Sequence, residues 1–450
     1  MRPAIIRGMD TFDSLREHLE SFRRASLGDV ELFYSESDST KVTVRDRKVD
    51  SVVESRSRGL GVRALRDGRM AFTHTTDLSP GGIEQARDAL KDFLDVTEPD
   101  EHNHFALPAD YAPDDLELAD AGARNADTLI ERALAMAEAA LAVDDIALAE
   151  TTASAGSSRA YLLNSLGVEA SEEGTGYRMF AEAHAHKGDL KETAYSYCAA
   201  RHSSGLFAPA RIGTEAGEWA RDRLGAEPLK SAKRPVVFMP MAAGMMLDYY
   251  AAALNGEMIN LGASYMVGKL GEKIGSELVR IVEDPLMVRG LESTRWDGEG
   301  VPARRKDVLA GGTLNACFHN LYSAAKAGAT PGGNASRGGY TAVPRIGAFN
   351  LHIANGDTQP EELLSGISDG LLVYSLMGHG PDMASGTFSS GASGWHIADG
   401  KIAGPVSKVT IAGDMLQILA DIDGVGNDLD LARPYSSPTL RVREMSVSGT

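Results

Sequence analysis

"KVTVRDRKVDSVVESRSRGLGVRALRDGRMAFTHTTDL", Lys41 to Leu78, alternates apolar and polar residues for most of its length and turns at Arg66-Asp67-Gly68. A period of two sends successive side chains to opposite faces, so the stretch predicts strands joined by tight turns. The segment just before it, "VELFYSES" from Val30, alternates in the same way. Upstream the period changes: residues 11–25 place Phe12, Leu15, Leu19 and Phe22 on one side of a helix. Downstream, Ser79-Pro80 opens a second helix running to about Leu94. A strand meander flanked by two helices predicts an α+β domain over residues 1–100.

Thr97 to Asp115 is rich in proline and acids and reads as a linker. A helix over Asn125 to Ala142 follows, then long alternating segments to Arg201, a helix near Thr214 to Leu224, and Pro228. These predict a middle domain, 101–228, of one helix and an antiparallel meander. From residue 229 to 450 the texture is again different. "RPVVFMP" reads as a buried strand leading into a helix, and the glycine-rich remainder holds short alternating runs at Gly370 to Gly378, Gly386 to Gly413 and Pro438 to Gly449. They predict a β-rich domain of barrel or sandwich type, and an α+β chain as a whole.

The formal net charge of −18 and pI of about 5.1 argue against a phosphate backbone as partner. The densest basic stretches, Arg45 to Lys48 and Arg304 to Asp307, both carry acids. No apolar run approaches the ~20 residues that span a bilayer. The first residues reach Asp10 and Glu17 before an apolar core develops, which is not the pattern of a signal peptide. Two cysteines, Cys198 and Cys317, make neither a disulfide framework nor a CxxC site and read as reduced thiols of a cytoplasmic protein.

Phosphate-binding loops are absent. GxSxG occurs once, at Gly366 to Gly370, but a helix-like run precedes it and a strand-like run follows, the reverse of a nucleophile elbow. His184 and His186 share one face of a strand and, with His202 or Cys198, could hold a metal; a polar sheet face over inward alanines is the plainer reading. His319, His352, His379 and His396 are scattered over the last domain, with His379 in the most loop-like setting, "MGHGPD".

"FMPMAAGMMLDYYAAAL" (Phe238 to Leu254) is the chemically odd segment. From Val236 to Asn255 the single charge is Asp248, with no histidine, cysteine or glutamate. Met241, Met245 and Tyr249 recur at helical spacing, as core or as an adaptable groove or partner surface.

Several long stretches, taken in order, resemble one family. They are Ser39 to Ser79, Glu283 to Leu314, Leu371 to Leu416 and "VGND" at Val425 to Asp428. They are similar to the TldD/PmbA family, also called modulators of DNA gyrase, and most of all to its PmbA (TldE) branch. The resemblance implies a three-part chain in a cytosolic metallopeptidase system acting on short or unfolded peptides. TldD-type members carry His-Glu-x-x-x-His on a helix after a strand and a distant cysteine, a zinc site with an open fourth position. Here the corresponding positions are Met239, Met241, Met245 and Val425, so the resemblance implies no catalytic residue and no metal in this chain. Thr387 stands where relatives often carry an acid. The implied role is a TldE/PmbA-type subunit beside a zinc-bearing TldD-type partner, or a homodimer. Gly378, His379, Gly380, Ser389, Ser390 and Gly391 would face a peptide chamber. The alternatives are a self-sufficient metallopeptidase using His184, His186 and His202, and a homo-oligomeric peptide-binding protein.

Overall fold

The computed structural model describes residues 8–433 and 435–449. The reading of the N-terminus as no signal peptide falls largely on residues 1–7, outside the described residues. Helix α1 (Gly8–Arg23) leads into β1 (Asp29–Arg45), β2 (Lys48–Arg66), β3 (Arg69–Thr75) and α2 (Pro80–Val96). The turns between the strands use positive φ at Asp46, Arg47, Asp67 and Gly68, as tight hairpins of right-twisted strands require. Ser79 caps α2 with Pro80 in its first turn, both read from the sequence.

The middle stretch supplies α3 (Ala126–Leu141), β4 (Ile146–Asn164), β5 (Glu169–Lys187), β6 (Leu190–Ala200) and α4 (Pro209–Arg221). Its strands do not form a sheet of their own. β4 pairs antiparallel with β1, Glu31 opposite Asn164 through Arg45 opposite Glu150, giving one six-stranded sheet in the order β3-β2-β1-β4-β5-β6. The helices cover one face. Leu15, Phe22, Leu90 and Leu94 pack on Leu32, Val62 and Leu163, and Leu129, Met136, Ile212 and Ala216 pack on Val42, Ala153, Met179 and Ala181.

The third stretch begins with β7 (Ala232–Phe238), α5 (Pro240–Ala253) and α6 (Gly256–Asn260). Short strands follow: β8 (Ile281–Glu283), β9 (Lys306–Ala310), β10 (Thr313–Leu314), β11 (Ala335–Ser336), β12 (Arg345–Ile346) and β13 (Leu351–Ile353), with α7 (Leu321–Ala327) among them. After α8 (Pro360–Leu364) come β14 (Asp369–Met377), β15 (Thr387–Ala398), β16 (Lys401–Asp414), α9 (Met415–Ala420), β17 (Ile422–Val425) and β18 (Leu440–Ser448). Strands β16-β15-β14-β7-β18 run side by side, and β16 pairs back onto β18 to close a five-stranded barrel. The β-rich region expected at the end of the chain is this barrel. The GxSxG match is the α8-to-β14 connection, a helix-to-strand turn, as the order of elements predicts.

The third stretch also covers the face of the large sheet opposite the helices. A Cβ at Gly59 would sit 2.4 Å from the Tyr340 ring, and one at Gly61 would sit 2.4 Å from the Tyr340 carbonyl oxygen. Only glycine lets that segment lie on the strands. Beside it Arg63 donates to Glu31 at 2.8 and 2.9 Å and to Glu299 at 3.1 Å, while Arg337 also donates to Glu31. All four side chains are buried. Burial alone would raise the Glu31 carboxyl, but the charges of Arg337 and Arg63 outweigh it and hold it below the usual range.

Candidate functional site

Helix α5 follows β7 directly. Met239 precedes it, its N–H donating to Val373 O at 3.0 Å, and Pro240 opens the first turn. The helix is apolar on almost every side, as a helix inside a core must be. Gly244 brings it against the chain at Tyr435, whose carbonyl oxygen would be 2.7 Å from a Cβ. Met246, Leu247 and Tyr250 point into the barrel core, and the Tyr250 hydroxyl donates to Met415 O at 2.8 Å.

Met241 is buried among the residues under α3 and α4, so at that position the core reading of the methionines holds. Met245 and Tyr249 differ: both are half-buried at the rim of the barrel core, and Asp248 between them is exposed. The loop after β14 lies over this rim. Gly380, at φ +79°, sits where a Cβ would be 2.6 Å from the Tyr249 ring, and Phe388 stands 6.1 Å from the same ring, centroid to centroid. Gly378 and His379 are exposed in this loop, and Ser389 is exposed on β15. Ser390 is buried and lies 3.0 Å from the carbonyls of Met377 and Gly391, so its hydroxyl serves the backbone. Thr387 is exposed beside Ser385, 3.0 Å away.

These residues do not fit a zinc ion. Val425, on β17, is buried in the same apolar cluster that Met245 packs against. The heteroatoms that α5 supplies are neutral thioethers, one carboxylate and two phenols, and burial raises the phenols of Tyr249 and Tyr250. Thioethers are poor ligands for Zn²⁺. Among the described residues no group of three or more His, Cys, Asp and Glu is placed to hold a metal.

The histidine alternative fails on geometry. Inward alanines at 181, 183 and 185 and outward His184 confirm the face assignment. His184 instead lies 3.0 Å from both Thr193 Oγ1 and Glu182 Oε1. His202 follows β6, beyond Ala200, which pairs with Tyr177. At ~3.3 Å per residue that level is more than about 20 Å along the sheet from His184. His202 Nε2 is 2.6 Å from Glu117 O. The three imidazoles cannot share an ion.

Three of the four histidines of the third stretch, all but the exposed His379, are likewise engaged with the fold. His319 lies against Ser323, His352 against Asn350 O, and His396 against Asp369. Burial pushes both thiols up, Cys317 to about 11, so neither is a reactive thiolate.

Family models match the chain in three successive blocks. PmbA/TldA metallopeptidase domain 1 matches residues 30–96, the central domain 119–224 and the C-terminal domain 231–449. The chain belongs to the PmbA/TldD family. Within it, the metalloprotease PmbA of Escherichia coli O157:H7 is 29% identical over 428 residues, covering 93% of this chain and 92% of that protein. A PmbA homolog of Haemophilus influenzae is 27% identical, with the same coverage. A Bacteroides thetaiotaomicron structure described as a modulator of DNA gyrase superposes with a TM-score of 0.90 at 26% identity, over 99% of this chain and 100% of that one. TldE of Thermococcus kodakarensis shares the PmbA/TldD fold at TM-score 0.87 and 22% identity, over 97% and 100%. Among the described residues no helix is long and apolar enough to cross a membrane.

Two features of the interior escape sequence reading: the buried Glu31, Arg63, Glu299, Arg337 cluster, and a run of glycines on the open face of β4 and β5. The first carries no local signal. The second has one, in "SAGSSR" and "EEGTGYR", where small residues interrupt otherwise well-filled strands.

Proposed function

We propose that this chain is the non-catalytic, TldE/PmbA-type subunit of a metallopeptidase assembly and pairs with a zinc-bearing TldD-type chain that cleaves short or unfolded peptides. One observation carries the reading: β7 and α5 keep a strand-then-helix arrangement in the barrel core, while α5 offers no imidazole, thiolate or glutamate. The scaffold of a metallopeptidase is retained and its metal chemistry is not. The rim formed by Met245, Tyr249 and the loop at Gly378 to Gly380 is then a surface toward the partner or the peptide. Thioethers and a phenol ring suit such a surface because they repack around different neighbours.

Elemental analysis of the purified chain is expected to find substoichiometric zinc. Alone, the chain should leave an unfolded peptide intact. Mixed with a relative carrying His-Glu-x-x-x-His, it should co-elute as a hetero-oligomer whose peptide cleavage is chelator-sensitive. Chelator-sensitive cleavage by the lone chain, free of contaminating peptidase, would overturn the reading. Failure to associate with any such relative would leave a homo-oligomeric binding protein in its place.

A further inference from the structure

Between the open face of the large sheet and the third stretch lies a cavity of about 190 Å³. Three side chains of its wall carry a polar atom that is buried with no hydrogen-bond partner among the described residues: Nε1 of Trp296, Nε of Arg337 and Oε2 of Glu172. Trp296 is 5% exposed and the Arg337 side chain 2%. The indole and guanidinium nitrogens can only donate, and the carboxylate oxygen accepts. Buried donors and acceptors left unpaired are costly, so the wall is made for an occupant that both accepts and donates.

The three groups come from adjoining segments. The Thr294 hydroxyl and the Arg295 N–H lie beside the Glu172 carboxyl, and the Thr294 hydroxyl donates to Trp296 O at 2.5 Å. Residues 296–298 run alongside 335–337: Gly298 N–H donates to Ala335 O at 2.7 Å, and a Cβ on Gly298 would sit 2.9 Å from Arg337 Cγ. Trp296 packs in the cluster that contains Phe33, and the Arg337 guanidinium lies 4.7 Å from the centroid of that ring.

The ionisable groups of the wall carry both signs: Glu172, Glu292, Asp297, Arg201 and Arg337. Arg337 pairs with Glu31, and Arg201 donates to the carbonyls of Gly290 and Thr175. Asp297 spends its two oxygens on three backbone N–H groups. Burial pushes the Glu172 carboxyl up, and the charges of Arg201 and Arg295 offset only part of that. Water could bridge the unpaired atoms but brings no charge to that carboxylate. Phe33, Ala160 and Phe349 make the apolar part of the wall.

We propose that this cavity binds a small apolar α-amino acid as its zwitterion, with the ammonium on Glu172, the carboxylate on Trp296 Nε1 and Arg337 Nε, and the side chain against Phe33 and Phe349. The volume is that of about six water molecules, which suits alanine or valine and excludes an aromatic residue. Entry is past Glu172, the one residue this cavity shares with a larger one of about 580 Å³ along the linker. The site depends neither on zinc loss nor on a partner.

Isothermal titration calorimetry of the full chain tests it with L-alanine and L-valine, and with propionate and ethylamine, each of which keeps one of the two charges. The amino acids should bind saturably, and propionate and ethylamine should each bind about tenfold or more weakly. Glu172→Gln removes the charge that meets the ammonium, and Trp296→Phe removes the indole N–H while keeping an apolar ring. Each should weaken alanine binding about tenfold with circular dichroism unchanged. The two variants alter different segments, so misfolding of one leaves the other to decide. No saturable heat from either amino acid would leave the cavity to water alone and overturn the proposal. Equal binding of propionate or ethylamine, or alanine affinity unaltered in a folded variant, would overturn it as well. None of these results bears on whether the chain pairs with a zinc-bearing relative, so the two readings fail separately.

Discussion

Glu31 and Arg63 sit in strands whose alternation marks them only as a polar face, yet both are buried, and the Arg337 that completes the cluster lies 306 residues along the chain from Glu31. Periodicity reports which face a residue takes, not what will cover that face. Removing one member should therefore cost far more than a surface ion pair. Arg63→Met, which leaves Glu299 without its guanidinium and Glu31 with one instead of two, is expected to lower stability by ~3–5 kcal/mol in urea unfolding. Close by, Asp297 accepts from the N–H groups of Glu299, Val301 and Ala335. Burial, and then the Glu299 carboxylate, push it up to about 7. A folded pKa above the unfolded value of ~3.9 means the native state holds this proton more tightly. The stability it contributes is full below pH ~4 and is lost as pH rises toward 7. Asp297→Asn, neutral at every pH, should gain stability relative to the parent chain across that window. A stability difference that stays flat from pH 4 to 7 would rule this out.

At the scale of elements, the sequence marks most strands and the principal helices within a few residues, because alternation and caps are local signals. It does not announce that β1 pairs with β4 across the acidic linker and α3, or that the loops of the third stretch lie on the same sheet. Those depend on contacts between distant segments. Gly61→Val puts that contact to the test: the added side chain would meet the Tyr340 carbonyl, so thermal melting should show clear destabilisation even though valine favours strands. Helix α5 was legible as apolar and without ligands, but its division into buried and rim positions was not. Met245→Asp with Tyr249→Asp should leave the circular dichroism of the chain nearly native while abolishing hetero-oligomer formation. Leu247→Asp, which places an unpaired charge in the core, should unfold it. Unfolding of the double variant would return Met245 and Tyr249 to the core.

For the molecule as a whole, alternation in the last third predicts a β-rich domain without distinguishing barrel from sandwich. The distinction rests on one pairing, Thr410 to Ala412 with Ser446 to Ser448. That pairing, with β18 also lying along β7, has a consequence for how the chain is made. Val236 and Phe238 leave the ribosome about halfway through the chain, and the strand that closes their barrel emerges roughly 200 residues later, on the order of 10–40 s at ordinary translation rates. The large sheet needs nothing beyond Ala200 to pair its six strands. Synthesis therefore passes through a stage in which a finished sheet is tethered to an open, sticky half-barrel. Arrested nascent chains ending before Leu440 should resist protease over β1 to β6 and be cut freely around β7, and protection there should appear only once Ser448 has cleared the exit tunnel. Until its last strand arrives, this protein is a client for whatever in the cell shields exposed strands.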